Sequence, residues 1–292
     1  MTKRAVIITT SVMVAIVAIL TILFGFVFRV RNIQVSYSEE FKYSQQIDEI
    51  LKVAKIDKND SIFSVNRNKV INNIERMYPY ARVEAVNLSP TGVKLTLSNR
   101  IPLYYFAENE ICYILDEGCK VLEVLSLDDY NALGQKLILL NNVFSAGEKV
   151  VAGQFLNNKF TATCNNLYKA LYSNAVLNIG DDADLDGEAD EKYLNREDMC
   201  NVINELKFTQ VYELHGQVDK LVMATSYGCN ITIIEPQQQL DLKINMAFSA
   251  LRALIANDKA EGLDQSTKGT ISVRYSYDTN NNITPVVEYY TE

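Results

Sequence analysis

The feature that most constrains this chain is a run of 24 residues without a charged side chain, residues 5–28, close to its N-terminus. As a helix the run would extend about 36 Å, against about 30 Å for the hydrocarbon core of a bilayer. A cleaved signal peptide has a shorter apolar core and small residues at its cleavage site, whereas the chain has the bulky sequence FGFVF at 24–28. The run therefore predicts a retained transmembrane helix over residues 5–28.

Basic residues do not fix the orientation of this segment. Lys3 and Arg4 on one side are matched by Arg29 and Arg31 on the other. The tail at residues 1–4 has no room for a domain, so the function is expected in the part of the chain that follows residue 28.

The charge of the chain is concentrated in one place. The formal net charge is −8, which argues against a nucleic-acid partner held by phosphate contacts, and residues 181–191 supply most of the acidic excess. With 48% hydrophobic residues the chain has enough apolar side chains to bury a core.

Residues 29–102 show, in order, the patterns of one strand, two helices and two strands. Apolar residues alternate at 33–37, which predicts a strand, and recur with helical spacing from Ile47 to Ala54. Asn66 is a suitable N-cap for a second helix, which Pro79 ends. The segment predicts a small β-α-α-β-β domain.

The two strands of this domain flank a turn at residues 90–92. The second alternates cleanly, but the first has apolar residues on both parities, so it is covered on both faces or contains a bulge. Polar residues of this hairpin, Arg100 among them, are expected at exposed strand positions and in an exit turn.

The remainder, residues 103–292, is predicted to be a larger β-rich domain with an acidic insertion around 178–196. Strands are expected at 103–106, 111–115, 121–125, 137–140, 210–214, 220–225, 229–234, 271–277 and 283–290. Helices are expected at 153–172, around 197–206 and from Ile244 to Ile255. The whole chain is therefore predicted to be α+β, closing with a helix and a β-hairpin.

Motifs for catalysis are missing from the sequence. The single histidine, His215, excludes a pair of histidine metal ligands and is expected in a turn, and the chain has no S-x-x-K, G-x-S-x-G, Walker or G-x-G-x-x-G motif. Five cysteines without a C-x-x-C pair are neither a disulfide framework nor a zinc site. Cys112 and Cys119 flank a tight turn that leaves them out of register. The expectation is a protein that is not an enzyme and has no bound cofactor.

One acidic segment resembles a cation-binding loop. In DADLDGEAD, Asp182, Asp184, Asp186 and Gly187 occupy positions 1, 3, 5 and 6 of a calcium loop. Position 12 is Tyr193 instead of a bidentate glutamate. Weak calcium binding and a solvated acidic loop are the two interpretations.

Several segments, in their order along the chain, resemble the FtsQ/DivIB family of bacterial division proteins. The similarity is carried by FRVRNIQVSYS at 28–38, YPYARVEAVNLSPTGVKLTLSNRIP at 78–102, YILDEGCKVLEVL at 113–125, the segment around Lys243 and GTISVRYS at 269–276. Ser36, Asn99 and Ser272 depart from the residues usual in the family.

The resemblance implies a single-pass membrane protein with a cytoplasmic N-terminus and a polypeptide-transport-associated (POTRA) domain at residues 29–102. It implies a non-catalytic divisome scaffold at the division septum that binds FtsL and FtsB/DivIC-type proteins and helps regulate septal peptidoglycan synthesis. In this family the β domain receives a partner strand at its C-terminal edge, and the matching positions here are Arg274, Tyr275, Ser276 and Tyr277.

Three alternatives remain open at this point. Residues 274–277 could form an ordinary strand paired on both sides. The chain could be a POTRA-bearing transport or chaperone component that binds extended substrates, or a calcium-dependent surface binding module.

Overall fold

A computed structural model describes residues 3–22, 25, 27–141, 150–156, 161–179, 190–213, 216–260, 268–277 and 283–291. The chain divides into two compact units, unit 1 at Met1–Arg100 and unit 2 at Ile101–Glu292. Both contain helices and strands, so the protein belongs to the predicted α+β class.

The chain begins with helix α1, Lys3–Ile22. Its large apolar side chains from Val12 to Ile22 are exposed. Across the described residues, the structure contains no helix whose length and apolar character together suffice to cross a membrane. The span over residues 5–28 stays a prediction.

The rest of unit 1 follows the predicted order of one strand, two helices and two strands. Its elements are β1 (Asn32–Tyr37), α2 (Ile47–Ala54), α3 (Arg67–Met77), β2 (Ala81–Ser89) and β3 (Gly92–Asn99), with short 3-10 helices at Ser44–Gln46 and Ile62–Ser64. The strands form a sheet in the order β1-β3-β2, in which β1 is parallel to β3 and β2 is antiparallel to it.

Local chemistry explains these elements. The Asn66 side chain accepts a hydrogen bond from the Lys69 backbone N–H at 3.1 Å, which caps α3 as predicted. The mixed parity of β2 comes from a bulge between Val83 and Ala85, where the register shifts by one residue. Ile74 of α3 and Leu95 of β3 are fully buried in the core between the helices and the sheet.

The expectation that Arg100 is exposed is wrong. Its side chain is buried, and its donors have partners there: the Nη2 atom donates to Glu75 Oε2 at 2.7 Å and the Nε atom donates to the Ala81 carbonyl at 3.3 Å. The other oxygen of Glu75 accepts from the Val83 N–H at 3.0 Å. This ion pair ties α3 to the first residues of β2.

Unit 2 is built around one large mixed sheet. Its elements are β4 (Tyr104–Glu108), β5 (Ile111–Leu115), β6 (Val121–Ser126), α4 (Leu127–Ala132), β7 (Ile138–Asn141), α5 (Thr161–Asn174), β8 (Val176–Asn178), β9 (Glu191–Tyr193), α6 (Arg196–Val202), β10 (Ile203–Glu213), β11 (Gly216–Thr225), β12 (Cys229–Ile234), α7 (Leu240–Ala260), β13 (Gly269–Tyr277) and β14 (Ile283–Tyr290). Among the described residues the sheet has nine strands in the order β14-β13-β12-β11-β10-β7-β4-β5-β6, and β8 pairs separately with β9. Helices α5 and α7 contact each other, and α7 covers β13.

Two predicted helices have different bounds in the structure. The helix expected at 153–172 is described over Thr161–Asn174, and its predicted first residues are not helical, because Gly153 and Gln154 are bonded to the backbone of Val121 in β6. The helix expected around 197–206 ends at Val202. The alternation of buried Leu206 and Phe208 with more exposed neighbours is that of a strand, and β10 starts at Ile203.

All five cysteines are free and buried. Cys112 pairs with Leu125 across β5 and β6, so it is out of register with Cys119, as predicted. Burial raises the pKa of the Cys112 thiol to about 11, which disfavours the reactive thiolate. His215 lies outside the described residues.

Candidate functional site

The four residues predicted to receive a partner lie on an interior strand. Strand β13 pairs in parallel with β12 over Gly269 to Val273 and antiparallel with β14 over Thr270 to Tyr277, so Arg274 to Tyr277 pair with β14 and lie beyond the register with β12. The backbone of these four residues is therefore paired on the β14 side, and the strand at the end of the sheet is β14.

The outer edge of β14 has no strand beside it among the described residues. At the other end of the sheet the start of β6 is covered, since the Val121 N–H donates to the Gln154 carbonyl at 2.9 Å. Edge strands are commonly protected by lysines, other charges or proline, and β14, which reads ITPVVEYY, has one charged residue, Glu288, and one proline, Pro285. An extended edge of this kind is a template for another strand.

The position of Pro285 shows which backbone groups of β14 face outward. In an antiparallel ladder, pairs that exchange two hydrogen bonds alternate with pairs that exchange none. Pro285 pairs with Tyr275 in a continuous ladder and has no N–H, so this pair belongs to the second kind. Ile283, Val287 and Tyr289 are separated from Pro285 by two or four residues, so they belong to pairs of the same kind, and their backbone N–H and C=O groups point away from β13.

An ion pair crosses the exposed face of the hairpin. The Arg274 Nη2 atom donates to Glu288 Oε1 at 2.8 Å, and the Tyr290 hydroxyl donates to the other oxygen of Glu288. The hydrogen bond from Arg274 lowers the pKa of the Glu288 carboxyl. Of the predicted residues, Arg274 and Ser276 lie on this exposed face, and their side chains are accessible beside β14.

The opposite face of the hairpin rests on a buried lysine. Lys243 of α7 is fully buried and donates to the carbonyls of Ile234 at 2.7 Å and Glu235 at 2.9 Å. Its Nζ atom lies 4.1 Å from the ring centroid of Tyr275, another predicted residue. Burial lowers the pKa of the Lys243 ammonium to about 8. The lysine thus connects the end of β12, the start of α7 and the middle of β13.

A close backbone approach fixes the end of β14. A Cβ atom at Gly269 would lie 2.6 Å from the Tyr290 carbonyl oxygen and 2.8 Å from the Tyr289 ring, so no larger residue fits there without a shift. The Tyr289 hydroxyl donates to the Lys268 carbonyl at 3.1 Å. The glycine allows the last residues of β14 to close over the start of β13.

Sequence reasoning located the C-terminal hairpin but missed its free edge and its support. Pro285 was the available signal for the edge, because proline within a sheet is confined to edge strands, first positions and bulges. Lys243 had no comparable signal, since its burial depends on strands that are distant in sequence.

The predicted calcium ligands Asp182, Asp184 and Asp186 lie outside the described residues. Within the described part of the chain, no group of three or more acidic, histidine or cysteine side chains is arranged to hold a metal ion. Calcium binding stays a prediction from the sequence.

Comparisons with known proteins give one informative likeness. No family model matches the chain. The chain is 24% identical over 190 residues to the cell division protein DivIB of Clostridium tetani, a similarity that covers 57% of this chain and 69% of that protein. The predicted resemblance to the FtsQ/DivIB family is thereby confirmed as a distant relationship.

Proposed function

We propose that this chain, a distant relative of the FtsQ/DivIB family, acts in bacterial cell division as a non-catalytic scaffold. In this proposal it binds FtsL and FtsB/DivIC-type proteins and helps to regulate septal peptidoglycan synthesis. The named relative supports the division role.

The uncovered edge of β14 is the observation that carries the proposed scaffold role. Pairing of a partner strand with this edge would supply backbone hydrogen bonds, and alternate side chains of the partner would supply selectivity. The four residues predicted from the sequence to bind a partner lie on β13, the strand next to this edge strand. Arg274 holds Glu288 of β14 on the exposed face, Ser276 lies opposite Thr284, and Tyr275 and Tyr277 belong to the strand that holds β14 in place.

Unit 1 has the β-α-α-β-β order expected of a POTRA domain. We assign it that role, with the domain at residues 29–102 and the β domain at 103–292. The membrane anchor at residues 5–28, with the N-terminus in the cytoplasm and both domains outside, is proposed from the sequence of that segment.

Localisation tests the division role. A fluorescent fusion of the full chain, produced in the bacterium that carries it, is expected to collect at the septum of dividing cells. A matched fusion of residues 1–28 alone controls for general membrane signal and is expected to spread over the whole cell envelope. An even distribution of the full-length fusion in dividing cells would contradict the proposal.

A further inference from the structure

We propose that Pro285 divides the outer edge of β14, and that the partner strand pairs with the C-terminal half of this edge, at Val287 and Tyr289. The inference rests on the proposed function, because it assumes that the edge receives a strand from a division partner. It adds the position at which that strand docks and the residue that sets this position.

The hydrogen-bonding capacity of the edge is asymmetric about Pro285. Val287 and Tyr289 each offer an outward N–H and an outward C=O, so together they provide four hydrogen-bonding groups for a partner strand. Pro285 offers only its carbonyl, and a strand that continued past it would leave one of its own carbonyls without a donor. On the other side of Pro285, Ile283 is the first residue of the strand.

The C-terminal half is also held in place by side-chain contacts. Val287 packs against the hydrophobic core of unit 2. Glu288 is bonded to Arg274 at 2.8 Å, and the Tyr289 hydroxyl is bonded to the Lys268 carbonyl at 3.1 Å. An edge that is already ordered loses little conformational freedom when a strand is added, which favours docking at this half.

The side chains beside this half define the chemistry of the partner strand. Residues opposite Val287 and Tyr289 would face the same side as these two apolar side chains, and the residue between them would lie next to Glu288 and Tyr290 on the exposed face. The edge therefore fits a short extended segment with an apolar-polar-apolar pattern. A hydrogen-bond donor at the middle position would reach the Glu288 carboxylate.

Proline substitutions test this inference without breaking the hairpin. Pro285 has no N–H and the N–H of Val287 points away from β13, so proline at either position leaves the β13–β14 ladder intact. The test measures the dissociation constant between the full chain in detergent and the extracytoplasmic segment of the FtsB/DivIC-type protein from the same bacterium. The variants are Val287→Pro, Pro285→Val and the exchange Pro285→Val/Val287→Pro.

The expected results differ for the three variants. Val287→Pro weakens binding at least tenfold, because it removes an outward donor within the docking half, whereas Val287→Ala, which keeps the N–H, is the milder control. Pro285→Val restores a donor next to that half and tightens binding by about two- to tenfold. The exchange variant has as many outward donors as the natural chain, yet its binding stays at least tenfold weaker.

Wild-type affinity of the exchange variant or of Val287→Pro would overturn the inference while leaving the scaffold role in place. Deletion of residues 283–292 distinguishes the two proposals. If that deletion leaves binding unchanged, or if the natural chain does not bind this segment, the proposed use of the edge fails as well. If the chain forms concentration-dependent dimers and the same variants abolish them, the edge binds a second copy of this chain, and the proposal that it binds a division partner is overturned. Hydrogen exchange of the β13 amides checks the fold, and it should be the same in these variants as in the natural chain.

Discussion

At the scale of single residues, the buried ammonium of Lys243 links the C-terminal hairpin to the core. It donates to the carbonyls of Ile234 and Glu235, and the ring of Tyr275 lies 4.1 Å from it. Burial holds the pKa of this group near 8 in the folded protein, below its ordinary value of 10.5. The unfolded chain therefore binds one proton more than the folded protein between these two pH values.

This difference predicts a rise in stability with pH. Below pH 8 the folded protein bears the full cost of a buried charge, and the cost disappears as the pH rises from 8 towards 10.5. From this group alone the free energy of unfolding should increase by about 3 kcal/mol across the window. In Lys243→Met that contribution should be absent, which denaturant unfolding at several pH values would show.

Other groups titrate in the same range, so the difference between the natural chain and the variant is the quantity to compare. Lys207→Met, at an exposed position of β10, is the matched control and should leave the pH dependence as it is. Parallel curves for the natural chain and Lys243→Met would refute the prediction.

Residues whose role is set by their neighbours in sequence were predictable. The cap at Asn66 and the register of Cys112 follow from local patterns, and both are observed. The burial of Lys243 and Arg100 was not predictable, because their partners belong to elements that come together only in the folded sheet. A charged residue in an alternating or amphipathic segment gives no local indication of such partners.

At the scale of elements, the Glu75–Arg100 pair joins α3 to the bulged strand β2. Removing one member of a buried pair leaves the other charge uncompensated, which commonly costs about 3–5 kcal/mol. Arg100→Met and Glu75→Leu should each destabilise unit 1 by that order. The double variant should be less destabilised than the sum, since no lone charge remains.

Chemical unfolding of the four proteins gives this double-mutant cycle. Arg82→Met, a partly exposed residue of the same hairpin, is the control for loss of an arginine and should cost less than Arg100→Met. Additive effects of the two single variants would show that the ion pair does not couple the elements.

Strand and helix periodicity predicted most elements, including β12 and the bounds of β14. The errors have a common origin. Residues 153–156 look helical in sequence but form backbone hydrogen bonds with the chain at the start of β6. The order of strands in the sheet depends on pairings between segments that are distant in sequence. For that reason the sequence identified the C-terminal hairpin but could not show which of its strands is at the edge.

At the scale of the whole molecule, each unit has its own hydrophobic core. Ile74 is fully buried in unit 1 and Phe248 is fully buried in unit 2. Ile74→Ala should destabilise unit 1 by about 2–5 kcal/mol, and Phe248→Ala should destabilise unit 2 by about 3–5 kcal/mol. Hydrogen exchange followed by mass spectrometry should show faster exchange only in the unit that carries the substitution.

The two variants control for each other. Faster exchange in both units after either substitution would mean that the cores unfold together, contrary to the prediction.

The short strand β7 has a consequence for how the large sheet forms. Among the residues that the structure describes, it is joined to β4 by two residue pairs and to β10 by three, all parallel, whereas β4 to β6 and β10 to β12 are joined by hairpins. Hairpins close within microseconds, while parallel pairing of distant segments is slow because a long loop must first be closed. Each set of hairpins is therefore expected to form early, and the continuous sheet arises only when β7 joins β4 to β10 and β13 pairs with β12. Within the described part of the sheet, the pairing of β7 with β4 is also the shortest, so mechanical pulling across the sheet would open it first.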